Sequence, residues 1–381
     1  MKATLLLIAA ILVQSFSPLY PENDEDDGGP EVDIGGALRY NIFVKNWEGE
    51  EATLIKMGEM NFDTWRINAD ARWDDLSMSA EYRFYSGYSF LKHGWIGYDF
   101  SDQTQMKLGV HQEPFGLLPY TANNWFLLLP YYIGQGDDYN TGIRVDHTWD
   151  NWDFKAAFYK NTPGHFTGDS DNSSRYSYDL VGDNQEVNQG NLRVAYNIGE
   201  TEVGVSGLYG QLFNENTEEM GDQYAFAGHA ESNWGPFNLK LQGLQYRYNP
   251  DQFTYEDGFV TMGAYDFPYQ VAAEGRVYTA ALSYTWNVDL SPLNSLTFYN
   301  DFAYFDKAEE DLKDSEMNVT GIMADMGAIY AYLDVANGRS HPWIGPVWSQ
   351  ALARGAEEQP DPDDPDAEWA TRFNLNLGYY F

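Results

Sequence analysis

The chain has 381 residues, no cysteine, and 58 acidic against 22 basic residues, for a formal charge of −36. Without cysteine there is no disulfide, thiolate nucleophile or Cys-ligated metal. So large a negative charge also excludes a nucleic-acid partner, whose phosphates require Lys and Arg. Aromatic residues make up 17% of the chain, with 29 Tyr and 12 Trp, a composition suited to rings at an interface with polar residues on the opposite face.

The chain opens MKATLLLIAAILVQSFS, one Lys before an apolar run from Ala3 to Val13. That run has the length of a signal-peptide core and is too short to span a bilayer as a helix. Residues 1–17 are read as a signal peptide with its cleavage site open. Residues 18–33, including PENDEDDGG, are read as a solvated acidic tail.

From residue 34 to 381 the dominant period is two. Leu38, Tyr40, Ile42 and Val44 alternate with Arg39, Asn41 and Lys45, and Trp65, Ile67, Ala69 and Ala71 alternate with Arg66, Asn68, Asp70 and Arg72. Met78, Ala80, Tyr82 and Phe84 alternate with Ser79, Glu81 and Arg83. This is strand periodicity with one apolar and one polar face.

Short turns at Asp74-Asp75, Ser101-Asp102, Asp150-Asn151, Gly199-Glu200, Gly235-Pro236 and Asp289 to Pro292 alternate with long polar loops. The loops run over 46–60, 114–138, 161–186, 214–221, 249–272, 307–316 and 355–368, with a tight bend near Gly87 as the exception on the long-loop side, which makes 114–138 the third connection there. Short–long alternation predicts an all-β, antiparallel up-and-down transmembrane barrel of about 16 strands, about ten residues each. The terminal strand EWATRFNLNLGYYF, with Tyr379 and Phe381 on its apolar face, favours this over a soluble sandwich. Tyr379 and Phe381 are read as an assembly signal.

The segment PFGLLPYTANNWFLLLPYYIGQG, Pro114 to Gly136, contains no Asp, Glu, Lys or Arg. Length alone would allow a membrane helix, but Pro119 and Pro130 remove helix donors and Asn123 and Asn124 would sit mid-span. An apolar loop left in water would be a large exposed patch. Folded into a barrel, it can rest its Leu and Phe side chains on the inner wall. Residues 114–138 are therefore assigned as an inward constriction loop, with Pro114, Phe115, Tyr120, Asn123, Asn124, Trp125, Tyr131 and Tyr132 as its candidate site residues.

The basic residues in phase with the polar face are Arg39, Lys45, Arg66, Arg72, Arg83, Lys107, Arg144, Lys155, Arg193, Lys240 and Arg372. The acidic ones are Asp70, Glu81, Asp146, Asp153, Glu202, Glu231 and Asp301. Eleven against seven predicts a mildly basic lumen beneath an acidic rim. These charges either pair across neighbouring strands or form a transverse field that guides ions, and the alternation leaves both readings open. The acidic runs do not keep calcium-loop spacing, since counting from Asn23 puts Ile34 where the bidentate Glu belongs. They are read as solvated loops, and no metal site or cofactor is expected.

Six histidines, at 93, 111, 147, 165, 229 and 341, show no metal-ligand spacing, and no HExxH or GxSxG motif is present. An outer-membrane barrel hydrolase needs a base, nucleophile and orienting group together. Its only candidates here are His111 and His147, and His147 reads as an interfacial ring.

The stretch KLGVHQEPFGLLPYTANNWF with DDYNTGIRVDHTWDNWDFKAAFYKN resembles the phosphate-selective porin O and P family through Leu108, Gly109, Glu113, Pro114, Phe115, Gly116 and Gly142. The resemblance implies a 16-stranded barrel, a homotrimer, and passage of small hydrophilic solutes. The family's phosphate selectivity depends on bases at the constriction. Pro114 to Gly136 supplies none, and only wall residues such as Lys107, Arg144 and Arg66 could substitute.

The expectation is thus a weakly selective porin for passive diffusion in a Gram-negative outer membrane. The four aromatic loop residues Tyr120, Trp125, Tyr131 and Tyr132 would suit neutral or aromatic-compatible solutes. Its partners would be lipid, lipopolysaccharide and the barrel assembly machinery. The alternatives are the hydrolase and a structural or adhesive barrel with a closed lumen.

Overall fold

The computed structural model describes residues 29–47, 49–163, 174–253, 258–309, 312–354 and 369–381. The expected signal peptide, most of the acidic tail and the 355–368 loop lie outside them. Seven strands come first: β1 (Glu31–Lys45), β2 (Glu59–Trp73), β3 (Leu76–Phe84), β4 (Ser89–Ser101), β5 (Thr104–Gln112), β6 (Tyr139–Trp149) and β7 (Trp152–Asn161). A short β8 (Asp179–Leu180) precedes β9 (Asn184–Ile198), β10 (Thr201–Asn214), β11 (Met220–Trp234) and β12 (Phe237–Asn249). The hairpin β13 (Phe259–Ala264) and β14 (Phe267–Ala272) leads to β15 (Glu274–Leu290), β16 (Leu293–Lys307), β17 (Ser315–Asp325), β18 (Ile329–Arg339) and β19 (Ala370–Tyr380).

Sixteen of these strands form one closed antiparallel barrel, the chain-order neighbours being joined at the seam where β1 pairs β19 from Ala37↔Tyr380 to Lys45↔Arg372. Closure leaves no unpaired edge, which a lipid environment requires. Barrel pairing begins three residues before the expected boundary, because Glu31 comes opposite Arg72 and Asp33 opposite Asp70 on β2. No helix among the described residues is long and apolar enough to cross a membrane. The longest of the two short helices is α1 (Glu51–Ile55), in the first long loop.

The outer wall carries the expected apolar phase, with Leu38, Ile42, Trp65, Ile67, Met78 and Tyr82 all exposed. Near the short turns Trp73, Phe100, Trp149, Trp152, Trp234 and Trp286 also face outward. A ring of aromatics at one end of an apolar wall is the pattern of a membrane–water interface.

Two features depart from a simple two-faced wall. First, the long loops after β7 and β12 are not irregular: β8, β13 and β14 form a three-stranded sheet inside the molecule. The hairpin turns at Tyr265 and Asp266, whose φ values of 56° and 62° suit a primed turn. Second, the inner face of β10 to β17 is apolar where this sheet covers it. Leu212, Tyr246, Val277, Phe305 and Met317 are fully buried there, in one cluster with Leu180, Met262 and Val271 of the inner sheet. These strands are apolar on both faces because their inner face meets protein, not water.

Candidate constriction site

The apolar run leaves β5 at Glu113 and rejoins the wall before Tyr139, with Glu113 N–H bonded to the Asp138 carbonyl at 2.8 Å across its base. Between those points it crosses the barrel. Gly116 N–H donates to Ser206 Oγ on β10 (2.8 Å), and Leu117 N–H donates to Gln242 Oε1 on β12 (2.7 Å). The Gly116 carbonyl accepts from Arg193 Nε on β9 (2.8 Å).

Gly116 has a φ of +64°, and a Cβ there would lie 2.3 Å from Gln242 Oε1. Gly199 has a φ of +61° at an open turn with nothing within 4 Å. Gly116→Ala is therefore expected to cost roughly 1–3 kcal/mol of backbone strain plus the clash, and to lower the thermal midpoint more than Gly199→Ala. Equal losses would refute the crossing geometry.

The loop tip is held by charge. Asp301 on β16, fully buried, accepts Asn123 N–H (2.6 Å), Asn123 Nδ2 (2.8 Å), Asn124 N–H (2.9 Å) and Asn124 Nδ2 (2.7 Å). Lys240 donates to the Ala122 carbonyl at 3.3 Å. The Arg372 guanidinium lies over Phe43 (4.6 Å), Phe126 (5.2 Å) and Trp125 (5.8 Å), a cation–π contact in a water-poor setting.

On the way back, Leu128, Leu129 and Ile133 are buried. Tyr131 donates to the Tyr176 carbonyl (2.9 Å), Tyr132 donates to the Phe126 carbonyl (2.6 Å), and Gln135 Nε2 donates to Tyr248 Oη (2.7 Å). Of the four loop aromatics expected to meet a solute, Tyr131 and Tyr132 are therefore spent on packing. Trp125 is half-buried, and Tyr120, 39% exposed, presents its ring to the lumen. Phe115 is buried at the loop entrance, beside Pro114.

Nine of the eleven basic wall residues pair with carboxylates. Arg39 Nε lies 3.0 Å from Asp63, Lys45 2.9 Å from Glu50, and Arg72 2.9 Å from Asp99. Glu81 sits between Arg83 (2.6 Å) and Arg66 (3.6 Å). Along β5 to β10 the pairs run as a belt: Lys107–Asp146 (3.7 Å), Arg144–Asp146 (2.6 Å), Lys155–Asp153 (2.7 Å), Arg193–Asp153 (3.2 Å), then Arg193–Glu202. Lys240 and Arg372 have no carboxylate within 4.0 Å among the described residues, and these two hold the loop. Pairing within and across strands thus accounts for the belt, while β1 to β4 keep a denser basic strip.

That strip holds two charges the alternation misses. Asp63 is skipped in the β1–β2 ladder, where Arg39↔Thr64 is followed by Tyr40↔Phe62. Lys92 is skipped between Glu81↔His93 and Tyr82↔Leu91. Each is a β-bulge, which shifts the alternation by one residue, so a period-two count assigns both to the wrong face. Lys92 Nζ stands 4.9 Å from the Tyr139 ring and 4.8 Å from Tyr176. Tyr380 was also missed: it continues the inward phase of Asn374, Asn376 and Gly378, while Tyr379 and Phe381 lie exposed on the outer wall, their rings stacked at 6.3 Å.

The two histidine candidates do not meet. His111 is buried with Nδ1 3.0 Å from Tyr159 Oη, whereas His147 is exposed on the outer wall with Nδ1 2.9 Å from Thr104 Oγ1.

A closed 16-stranded antiparallel barrel with its third long loop folded inside is the fold of the outer-membrane porins. No protein-family model matches the chain, and no curated protein matches it. Among solved structures, OmpF of Salmonella typhi in complex with daunomycin is similar at a TM-score of 0.59 and 10% identity, over 93% of this chain and 98% of that one. The anion-selective porin from Comamonas acidovorans is similar at 0.57 and 11%, over 93% and 100%. The trimer form of in-vitro folded OmpT, an outer-membrane protein of Vibrio cholerae, is similar at 0.54 and 13%, over 93% and 100%.

Proposed function

We propose that this protein is an outer-membrane porin, a water-filled channel through which small solutes diffuse passively, with weak preference for anions. The observation that carries this reading is the asymmetry of the constriction. Arg39, Arg66, Arg83 and Lys92 line β1 to β4, balanced by Asp63 and Glu81, while Pro114 to Gly136 opposite carries no charge. Basic rings favour anions in water-filled pores. The excess is small, so the preference is weak.

Catalysis has no comparable support, since His111 and His147 occupy opposite faces of the wall. Kinship with the phosphate-selective porins rests on Leu108, Gly109, Glu113 to Gly116 and Gly142, and does not bring phosphate selectivity with it. Export by a signal peptide over residues 1–17, insertion by the barrel assembly machinery through the strand ending in Tyr379 and Phe381, contact with lipopolysaccharide and assembly as a homotrimer complete the proposal.

Planar-bilayer recording tests it. Purified protein is expected to give discrete conductance steps in KCl and, across a salt gradient, a reversal potential of modest size on the anion side. Absence of steps would overturn the channel; a firm cation potential would overturn the assignment of the basic strip.

A further inference from the structure

On the short-turn side of the constriction, two guanidiniums and three phenol rings from five different segments converge. Arg39 (β1) spends its Nε on an ion pair with Asp63, 3.0 Å away but not aligned as a hydrogen bond. Arg66 (β2) makes no hydrogen bond to any described residue. Its Nε is buried without a partner, its contact with Glu81 is 3.6 Å, and its guanidinium lies 5.2 Å over the ring of Tyr380 (β19). Tyr120 from the loop is 39% exposed, its ring toward the lumen with Lys240 Nζ 5.7 Å from its centroid, and the Arg39 and Arg66 charges act on its phenol. Tyr332 (β18) stands opposite Asn376, the inward position of β19 next to Gly378.

Gly378, between them on β19, keeps the floor open: a Cβ there would lie 2.7 Å from Tyr380 Cε2 and 3.1 Å from Arg39 Cγ. Arg66 therefore has unused planar donors, which suit a carboxylate. The neighbouring phenols offer ring faces and edges, which suit an aromatic ring. A simple anion pore needs the first of these and not the second.

We infer that Arg39, Arg66, Tyr120, Tyr332 and Tyr380 form a subsite that retains aromatic monocarboxylates during passage, the carboxylate on the guanidiniums and the ring among the tyrosines. This rests on the reading of the protein as an anion-favouring channel and names its solute class. The ring of such a solute would replace the guanidinium–ring contact at Tyr380 with a ring–ring contact, while Arg66 turns its donors to the carboxylate.

The test uses the full protein in planar bilayers at moderate salt, with sodium benzoate and sodium cyclohexanecarboxylate as probes. The two carry the same charge on rings of similar size, and only benzoate is aromatic. Benzoate is expected to interrupt the KCl current at up to about a tenfold lower concentration, the size of one well-formed aromatic pairing. Tyr120→Leu with Tyr332→Leu is expected to bring the two blocking concentrations to within about twofold, because their aromatic partners are gone. Arg66→Gln is expected to weaken both probes together. Equal block by the two probes in a normally conducting channel would overturn the subsite alone, as would a tyrosine double variant that keeps the parent's ratio. A protein that gives no KCl conductance would overturn the channel reading itself.

Discussion

Asp301→Ala is expected to release the constriction loop and produce a wider, noisier channel. The carboxylate is fully buried and accepts four N–H bonds between 2.6 and 2.9 Å from Asn123 and Asn124. Two of those donors are backbone groups with no alternative partner in a loop that has left the wall. Leaving a buried donor without its acceptor costs roughly 1–3 kcal/mol, because that donor stays desolvated.

The remaining tip contacts are weaker. Lys240 holds the Ala122 carbonyl at 3.3 Å, and Arg372 holds Trp125 and Phe126 by their rings. The barrel itself should survive, since its 16-strand ladder does not pass through the loop. The expected record is therefore larger mean conductance with excess current noise, in a protein that still folds. Asp301→Asn keeps the shape and, with its amide at the Oδ1 position, turns a donor toward Asn123 Nδ2 alone while its carbonyl keeps the other three N–H groups, so an intermediate noise level is expected. A single-channel trace for Asp301→Ala indistinguishable from the parent would show that the tip is not what holds the loop.

How much of this could be read from residues alone follows from what each inference required. Period two and alternating connection length are local properties, so the strand count and the barrel were legible. The missing charge in Pro114 to Gly136 was legible too, and with it the need to hide that loop from water. Its anchor was not. Asp301 stands 177 residues from Asn124, and only closure of the barrel brings β16 opposite the third loop.

The bulges at Asp63 and Lys92 leave no mark in the sequence, because a bulge is a relation between two strands. The inner sheet of β8, β13 and β14 was hidden for a similar reason. FVTMGA and FPYQVA look like loop residues when both flanking strands are already assigned, and their turn, Tyr265-Asp266, lacks the Asn-Gly or Asp-Gly signature of a tight hairpin. The apolar inner wall of β10 to β17 then follows, since its partner is that sheet. Tyr131 and Tyr132 show the same limit, because ring type alone does not separate a residue that meets solute from one that packs the loop.

The base of the constriction loop should make the folded protein less stable as pH rises from about 4 to 7. Glu113 is buried and accepts three side-chain amides, from Asn140 (2.7 Å), Asn191 (2.9 Å) and Gln189, none of them charged. Burial pushes its carboxyl up to about 7, helped by the nearby Glu186 carboxylate. Asp179 on the inner sheet is pushed up to about 6 by burial, against the pull of Arg175 at 3.1 Å. Asp138 is raised well above its usual range by burial and by Asp179, Glu113 and Glu186 around it.

A carboxyl whose pKa is higher folded than unfolded contributes stability that is complete below the unfolded value. That contribution is lost as pH rises through the folded value. For Glu113 and Asp179 the loss falls between about pH 4 and 7. Thermal unfolding across this range is expected to show a midpoint that falls with pH. Glu113→Gln, which cannot titrate, is expected to reduce that slope while leaving the Asp179 portion. A midpoint that rises toward pH 7, or a Gln variant with the parent's slope, would show that Glu113 is ionised and accommodated in the folded protein. The amide cradle of Asn140, Gln189 and Asn191 would then be holding a charge, and Glu113 would have to be counted against the basic strip when the sign of the pore's selectivity is worked out.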